Sequence, residues 1–123
     1  MDMLYYIYIG SNRVTIDHLS KITGGMFMAV SSCNKAAKVI DGIRERYNTS
    51  ILYEESTPQK DSQNITFLHK RFPRVYIILI TEGLQKEHRK LYLQAGVNNT
   101  LSPMASEESL QQMTKFLQLR KEH

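Results

Sequence analysis

An open parallel β-sheet covered by helices on both faces is the fold this sequence predicts, on three observations. Short runs of β-branched, aliphatic and aromatic residues alternate five times with helix-length stretches of mixed polarity. The runs are apolar nearly throughout, as in strands buried on both faces. The links between them are short and rich in glycine, serine, asparagine and proline, the residues that turn a chain.

Residues 4–9, Leu-Tyr-Tyr-Ile-Tyr-Ile, form the first strand, which breaks at Gly10-Ser11-Asn12. Ser11 or Asn12 can cap the first helix, where Thr15, Leu19 and Ile22 recur at helical spacing before Gly24-Gly25. Met26–Val30 is the second strand. Ser31 or Ser32 caps a second helix that buries Ala36, Ile40, Ile43 and Tyr47, with Val39 beside them, and ends at Asn48. Ile51, Leu52 and Tyr53 make a third strand that stops abruptly at Glu54-Glu55. After Pro58, Gln59-Lys60-Asp61-Ser62 offers caps for a third helix burying Ile65, Leu68 and Phe72, which Pro73 stops.

Residues 75–80 read as the strongest strand, closing at Thr81-Glu82-Gly83, with Thr81 placed to cap the fourth helix. That helix turns Leu84, Leu91 and Ala95 inward and Lys86, Glu87, Arg89 and Lys90 outward, and Gly96 is its C-cap. Residues 97–101 form a short fifth strand ended by Ser102-Pro103. Ser106, with Glu107 and Glu108 in the first turn, opens a last helix that buries Leu110, Met113 and Leu117. Nothing in the sequence stops that helix before His123, so the natural chain is expected to continue, with residues 1–123 as its N-terminal domain.

Composition bounds the function. A chain of 123 residues with 41% apolar and 23% charged residues suits one globular domain. No apolar run approaches a membrane span, and no secretion signal opens the chain. One cysteine excludes an internal disulfide and fits a reducing cytoplasm. A net charge of +4 is too mild and too scattered to argue for nucleic acid. The four histidines show no metal-ligand spacing and are expected on the surface. Gly10-Ser11-Asn12 lacks the further glycines of a dinucleotide fingerprint. Cys33 lies near a helix start, where a thiolate is favoured, although an inert small residue is the simpler reading. No cofactor is indicated.

The Ser50 to Pro58 segment carries the most specific signal. An acid closes the third strand and Pro58 follows Glu54 by four residues, which resembles the phosphoacceptor segment of response-regulator receiver domains. The resemblance covers nearly the whole chain, through the order and lengths of its elements. It implies a flavodoxin-like five-stranded parallel sheet of order 2-1-3-4-5. It also implies a site of five parts: two acids after the first strand, an aspartate after the third, a hydroxyl residue after the fourth, and a lysine before proline after the fifth. On this chain those positions fall on Gly10 and Ser11, on Glu54, on Thr81, and on Ser102 followed by Pro103. The hydroxyl and the proline are kept, and both acids of the pair and the lysine are gone. In receivers the acids hold Mg²⁺, which prefers several hard oxygen ligands. Stabilising charge is nearly all that phosphoryl transfer asks of a protein. The resemblance therefore implies a degenerate receiver with no catalytic residue and no metal, acting as a regulatory or interaction module.

Two alternatives stay open at this stage. One is an atypical receiver phosphorylated on Glu54 or a hydroxyl. The other is the regulatory domain of an enzyme such as a sugar-phosphate transferase. A small-ligand site would have only Ser11, Asn12, Glu54, Thr81 and Ser102 at the strand ends, with no nucleophile–base pair among them. In receivers the fourth helix, fifth strand and fifth helix meet an output domain or a second copy. The resemblance thus implies a partner surface here at Lys86, Arg89, Lys90, Phe116 and Leu119. It also implies a cis peptide before Pro103.

Overall fold

A computed structural model describes residues 3–22 and 25–121. Five parallel strands, β1 (Tyr5–Ile9), β2 (Met26–Val30), β3 (Thr49–Glu54), β4 (Tyr76–Ile80) and β5 (Asn99–Leu101), lie in the order β2-β1-β3-β4-β5. The helices between and after them are α1 (Arg13–Ile22), α2 (Cys33–Asp41), α3 (Pro58–Arg71), α4 (Lys86–Ala95) and α5 (Glu107–Lys121). This is the flavodoxin-like architecture the sequence predicts.

The two-residue period of a strand divides the core into two layers. Ile7, Ile9, Ile51, Tyr53, Ile77 and Leu79 face α2, α3 and α4, and pack on Ala36, Ile40, Ile65, Leu68, Tyr92 and Ala95. Tyr6, Tyr8, Leu52, Ile78 and Ile80 face α1 and α5, and pack on Leu19, Leu110 and Leu117. Central β3 is buried on both faces, as its apolar run requires.

Several elements depart from the sequence reading. The second helix stops at Asp41, because Gly42 closes it with its N–H on the Val39 and Ile40 carbonyls. Arg46 Nε then takes the Ile43 carbonyl at 2.7 Å, and Arg46–Asn48 form a separate 3-10 turn. Tyr47 is therefore exposed rather than inward, with the Arg74 and Arg120 guanidinium groups against its ring. The fourth helix starts at Lys86, so Leu84 sits half-buried in the preceding loop, and the residue driven fully into the core is Tyr92. Thr57 is the N-cap residue of α3, with Pro58 in its first turn, so the polar run after Pro58 lies inside the helix. The expected caps at Asn12, Ser32 and Ser106 are present, through side-chain bonds to the amides of Thr15, Lys35 and Ser109. Ile22, expected to face inward from α1, has its side chain outside the described residues, as do Gly24 and His123 entirely.

Among the described residues every peptide bond is trans, including that before Pro103. No lysine at 102 has to be aimed into the cleft, and Ser102 instead turns the chain by accepting the Met104 amide at 3.2 Å. No helix among the described residues is long and apolar enough to cross a membrane.

Candidate functional site

The carboxyl ends of β1, β3 and β4 converge on one edge, the place where an open α/β sheet builds its sites. Glu54 is the last residue of β3 and lies on the same face of the sheet as Tyr8 and Leu52. Its carboxylate reaches back toward α1. Oε2 accepts the Ser11 amide at 2.9 Å, and Oε1 accepts the Asn12 amide at 2.9 Å and the Tyr8 hydroxyl at 3.0 Å. The two amides belong to the free N-terminal end of α1, where the helix dipole also favours an anion.

Gly10 makes this path possible. A methyl group at that position would stand 2.6 Å from Glu54 Cβ and 2.6 Å from Cδ, and would also overlap Oε2. The residue at the acid-pair position is therefore small because the side chain of Glu54 crosses its Cα. The glycine at 10 and the length of the side chain at 54 thus depend on each other. Burial raises the Tyr8 hydroxyl above its ordinary pKa, and the charge of Glu54 raises it further, so Tyr8 stays a donor to that carboxylate.

Thr81 is buried and near Glu54, but it does not bond to it. Its hydroxyl donates to Glu55 Oε1 at 2.7 Å and accepts the Gly83 amide at 3.2 Å. It does not cap α4, whose N-cap residue is Gln85. Tyr8, Glu54, Glu55, Thr81, Glu82 and Pro103 line a shallow cleft of about 280 Å³. Ser102 is drawn away from it and lines a groove of about 520 Å³ between α4 and β5, beside Arg89, Leu93, Asn99 and Thr100. The positions implied by the resemblance are thus brought to one end of the sheet but divide among three recesses, because Gly10 and Ser11 line a third one, of about 490 Å³, together with Glu54.

This donor set does not fit Mg²⁺. A cation needs oxygens turned toward it, and both oxygens of Glu54 already face N–H and O–H donors. Gly10 supplies no side-chain ligand, and Ser11 contributes its amide to Glu54. Among the described residues no group of three His, Cys, Asp or Glu side chains converges as metal ligands.

The sequence reading missed Asp61. It is only 1% exposed, one turn into α3. Its carboxylate accepts the Ser56 amide at 2.7 Å, the Tyr92 hydroxyl at 2.8 Å and the Tyr53 hydroxyl at 3.1 Å, and Asn64 in turn donates to Tyr53 at 2.9 Å. Asp61 thereby ties β3, α3 and α4 together under the site. The signal for it was faint: two tyrosines in apolar contexts, each needing an acceptor for its hydroxyl once buried. The recess of about 490 Å³ lies over this network, lined among others by Ser31, Ser32, Cys33, Lys60 and Asn64. Cys33 opens α2, yet burial, with the charge of Asp61 adding to it, pushes its thiol upward in pKa and away from the thiolate.

Two histidines also differ from the expected surface positions. His18 Nε2 lies 2.8 Å from the Ala105 carbonyl and links α1 to the loop before α5. His69 is half-buried against Gly96.

On the expected partner surface, Lys86, Arg89 and Lys90 are exposed along α4, and Leu93 extends that face. Leu119 is 58% exposed. Phe116 is 49% exposed but not free, since its ring meets that of Tyr76 at 5.5 Å.

No family model matches the chain, and no curated protein sequence matches it. Solved structures do. A CheY-like protein, tadZ, from Pseudomonas aeruginosa superposes with a TM-score of 0.80 at 13% identity, over 95% of this chain and 94% of that one. The signal receiver domain of an HD domain-containing protein from Pseudomonas fluorescens gives 0.81 at 12% identity, over 99% and 91%. The receiver domain of a Saccharomyces cerevisiae response regulator, crystallised with a histidine phosphotransfer protein, gives 0.67 at 12% identity, over 92% and 87%. At such identities the likeness establishes the fold, that of CheY-like receiver domains.

Proposed function

We propose that this chain is a receiver-type regulatory module whose phosphorylation cleft is closed by its own Glu54, and that it acts by binding a partner rather than by phosphoryl transfer. One observation carries the reading. The carboxylate at the phosphoacceptor position spends both oxygens on the Ser11 and Asn12 amides and the Tyr8 hydroxyl. An attacking carboxylate would have to give up these bonds, and charge-assisted hydrogen bonds to a carboxylate are each worth about 1.5–3 kcal/mol. With no lysine at 102 and no acid at 10, the charges that the resemblance would place there are missing.

The same geometry argues against Glu54 as a stand-in for a phosphorylated aspartate. Such a mimic would act on the hydroxyl of Thr81, and Thr81 donates to Glu55 instead. What remains for signalling is the surface of α4, β5 and α5. There Lys86, Arg89 and Lys90 lie exposed with Leu93 and Leu119, a combination suited to a partner that presents acidic and apolar groups together. The yeast neighbour in its complex is a receiver domain engaged with a second protein. Partner binding comes to this chain as part of the proposal.

The test uses the chain with acetyl phosphate and Mg²⁺, followed by intact mass measurement. No added phosphoryl group is expected. A stoichiometric mass increase that disappears in Glu54→Gln would overturn the reading.

A further inference from the structure

Among the described residues, one edge of the sheet is apolar and unprotected. β2 reads Met-Phe-Met-Ala-Val, and no charged residue stands between Lys21 and Lys35. Edge strands are normally blunted by lysine, proline, a bulge or an inward-pointing charge, and β2 has none of these within its five residues. Met26 is 49% exposed and Met28 is 42% exposed, so α2, which packs on the same side of the sheet, leaves both largely uncovered. The opposite edge, β5, differs in each respect. It is three residues long, begins with Asn99 and Thr100, and the Thr100 amide is taken by the Asn99 side chain at 2.8 Å.

The direction of the free backbone groups follows from the pairing with β1. Met26 N–H donates to the Leu4 carbonyl, and the Val30 carbonyl accepts from Gly10 N–H. Along this parallel ladder Met26, Met28 and Val30 turn their amide groups toward β1, so Phe27 and Ala29 turn theirs outward. The outward groups are placed symmetrically about Met28.

We propose that two copies of this chain associate by antiparallel pairing of their β2 edges about a two-fold axis at Met28, joining two five-stranded sheets into one. In that register Phe27 of each copy exchanges both backbone hydrogen bonds with Ala29 of the other. Met28 faces its own counterpart as the closer, non-hydrogen-bonded pair, and Met26 stands opposite Val30. The occupant is a second copy because the edge complements itself in both respects. All four outward groups of one strand find partners on the other, and the contact line carries no charge on either side. Elsewhere a chain of net charge +4 repels its own copy. Five residues make a contact smaller than the 1,200–2,000 Å² or so of a standard interface, so the association is weak and depends on concentration. The α4 and α5 surface lies away from this edge and stays open to a partner.

Sedimentation velocity on the whole chain, from low micromolar to about 1 mM, reads the association over the range where weak dimers form. A monomer–dimer equilibrium is expected for the natural sequence. Ala29→Pro, which removes an outward N–H at an edge where proline is tolerated, should give monomer throughout, as should Met28→Lys, which sets like charges against each other. Leu119→Ser should leave the equilibrium unchanged. Register is tested in a Cys33→Ser background. Met28→Cys should form a disulfide-linked dimer on mild oxidation, because Cα atoms of a non-hydrogen-bonded pair lie within bridging distance, and Met26→Cys should not. Monomer at every concentration would overturn the proposal. So would a dimer that survives Ala29→Pro and Met28→Lys but is lost in Leu119→Ser, or one that cross-links equally at 26 and 28.

Discussion

Glu54 and Gly10 have to be read as a pair. An aspartate at the end of β3 would be one methylene shorter than the side chain that here reaches the Ser11 and Asn12 amides. The longer chain carries the carboxylate onto those two amides, so this end of α1 already holds an anion. The cost falls on residue 10, where no side chain fits. Gly10→Ala should therefore destabilise the fold by about 1–3 kcal/mol, the usual range for overpacking, seen as a lower urea midpoint at unchanged slope. The three nearest heavy atoms to the added methyl all belong to Glu54. The loss should accordingly be smaller when Gly10→Ala is made in a Glu54→Gly background, and a double-mutant cycle measures that coupling. Equal losses in both backgrounds would mean that the strain lies in the backbone at residue 10.

At the scale of elements, the contact between α3 and α4 rests on two devices. Asp61 gathers Tyr92 from α4 and Tyr53 from β3, and Gly96 ends α4 with φ +125° while lying directly against His69 of α3. A methyl group at 96 would approach His69 Cγ to 2.7 Å and Cβ to 2.8 Å. Gly96→Ala thus carries both a left-handed backbone penalty and a steric one. It should lower stability by more than the ~1 kcal/mol that a backbone-compatible change at glycine involves. Urea unfolding of Gly96→Ala beside His69→Ala/Gly96→Ala separates the two parts, and only the steric part should be recovered in the double variant. The far end of α5 is held differently. Arg120 donates to the carbonyls of Tyr47 at 3.0 Å and Arg74 at 2.6 Å, and stacks on the rings of Tyr47 and Tyr76. This clamp explains why Tyr47 faces outward from the core yet is still engaged.

The whole molecule places four tyrosine hydroxyls, those of Tyr6, Tyr8, Tyr53 and Tyr92, where burial raises each above its ordinary pKa of 10.0, with the charge of Glu54 adding at Tyr8 and the bond to Asp61 adding at Tyr92. Below that pH both the folded and unfolded chains keep these protons, and the stability they confer is complete. Above it the unfolded chain releases protons that the folded one retains, so stability falls as pH rises toward the folded-state values. Urea midpoints should stay level to about pH 9.5 and decline above about pH 10, with a shallower decline in Tyr92→Phe. A flat profile to pH 11 would mean that these hydroxyls ionise equally in both states. The sequence by itself determined the five-fold alternation, because apolar period, caps and turn residues act locally and survive without partners, and its resemblance to receiver domains supplied the expected strand order and the positions at which such a site would stand. It also showed that Gly10, Ser11 and Ser102 carry none of the charge such a site uses. Only the tertiary structure decided where the carboxylate of Glu54 goes, that Thr81 serves Glu55, and that Asp61 is buried beneath two tyrosines. It alone left Met26 and Met28 uncovered on a free edge. These outcomes depend on groups 8 to 46 positions apart in the chain, whose meeting is set by the packing of helices on the sheet and not by any pattern along the sequence.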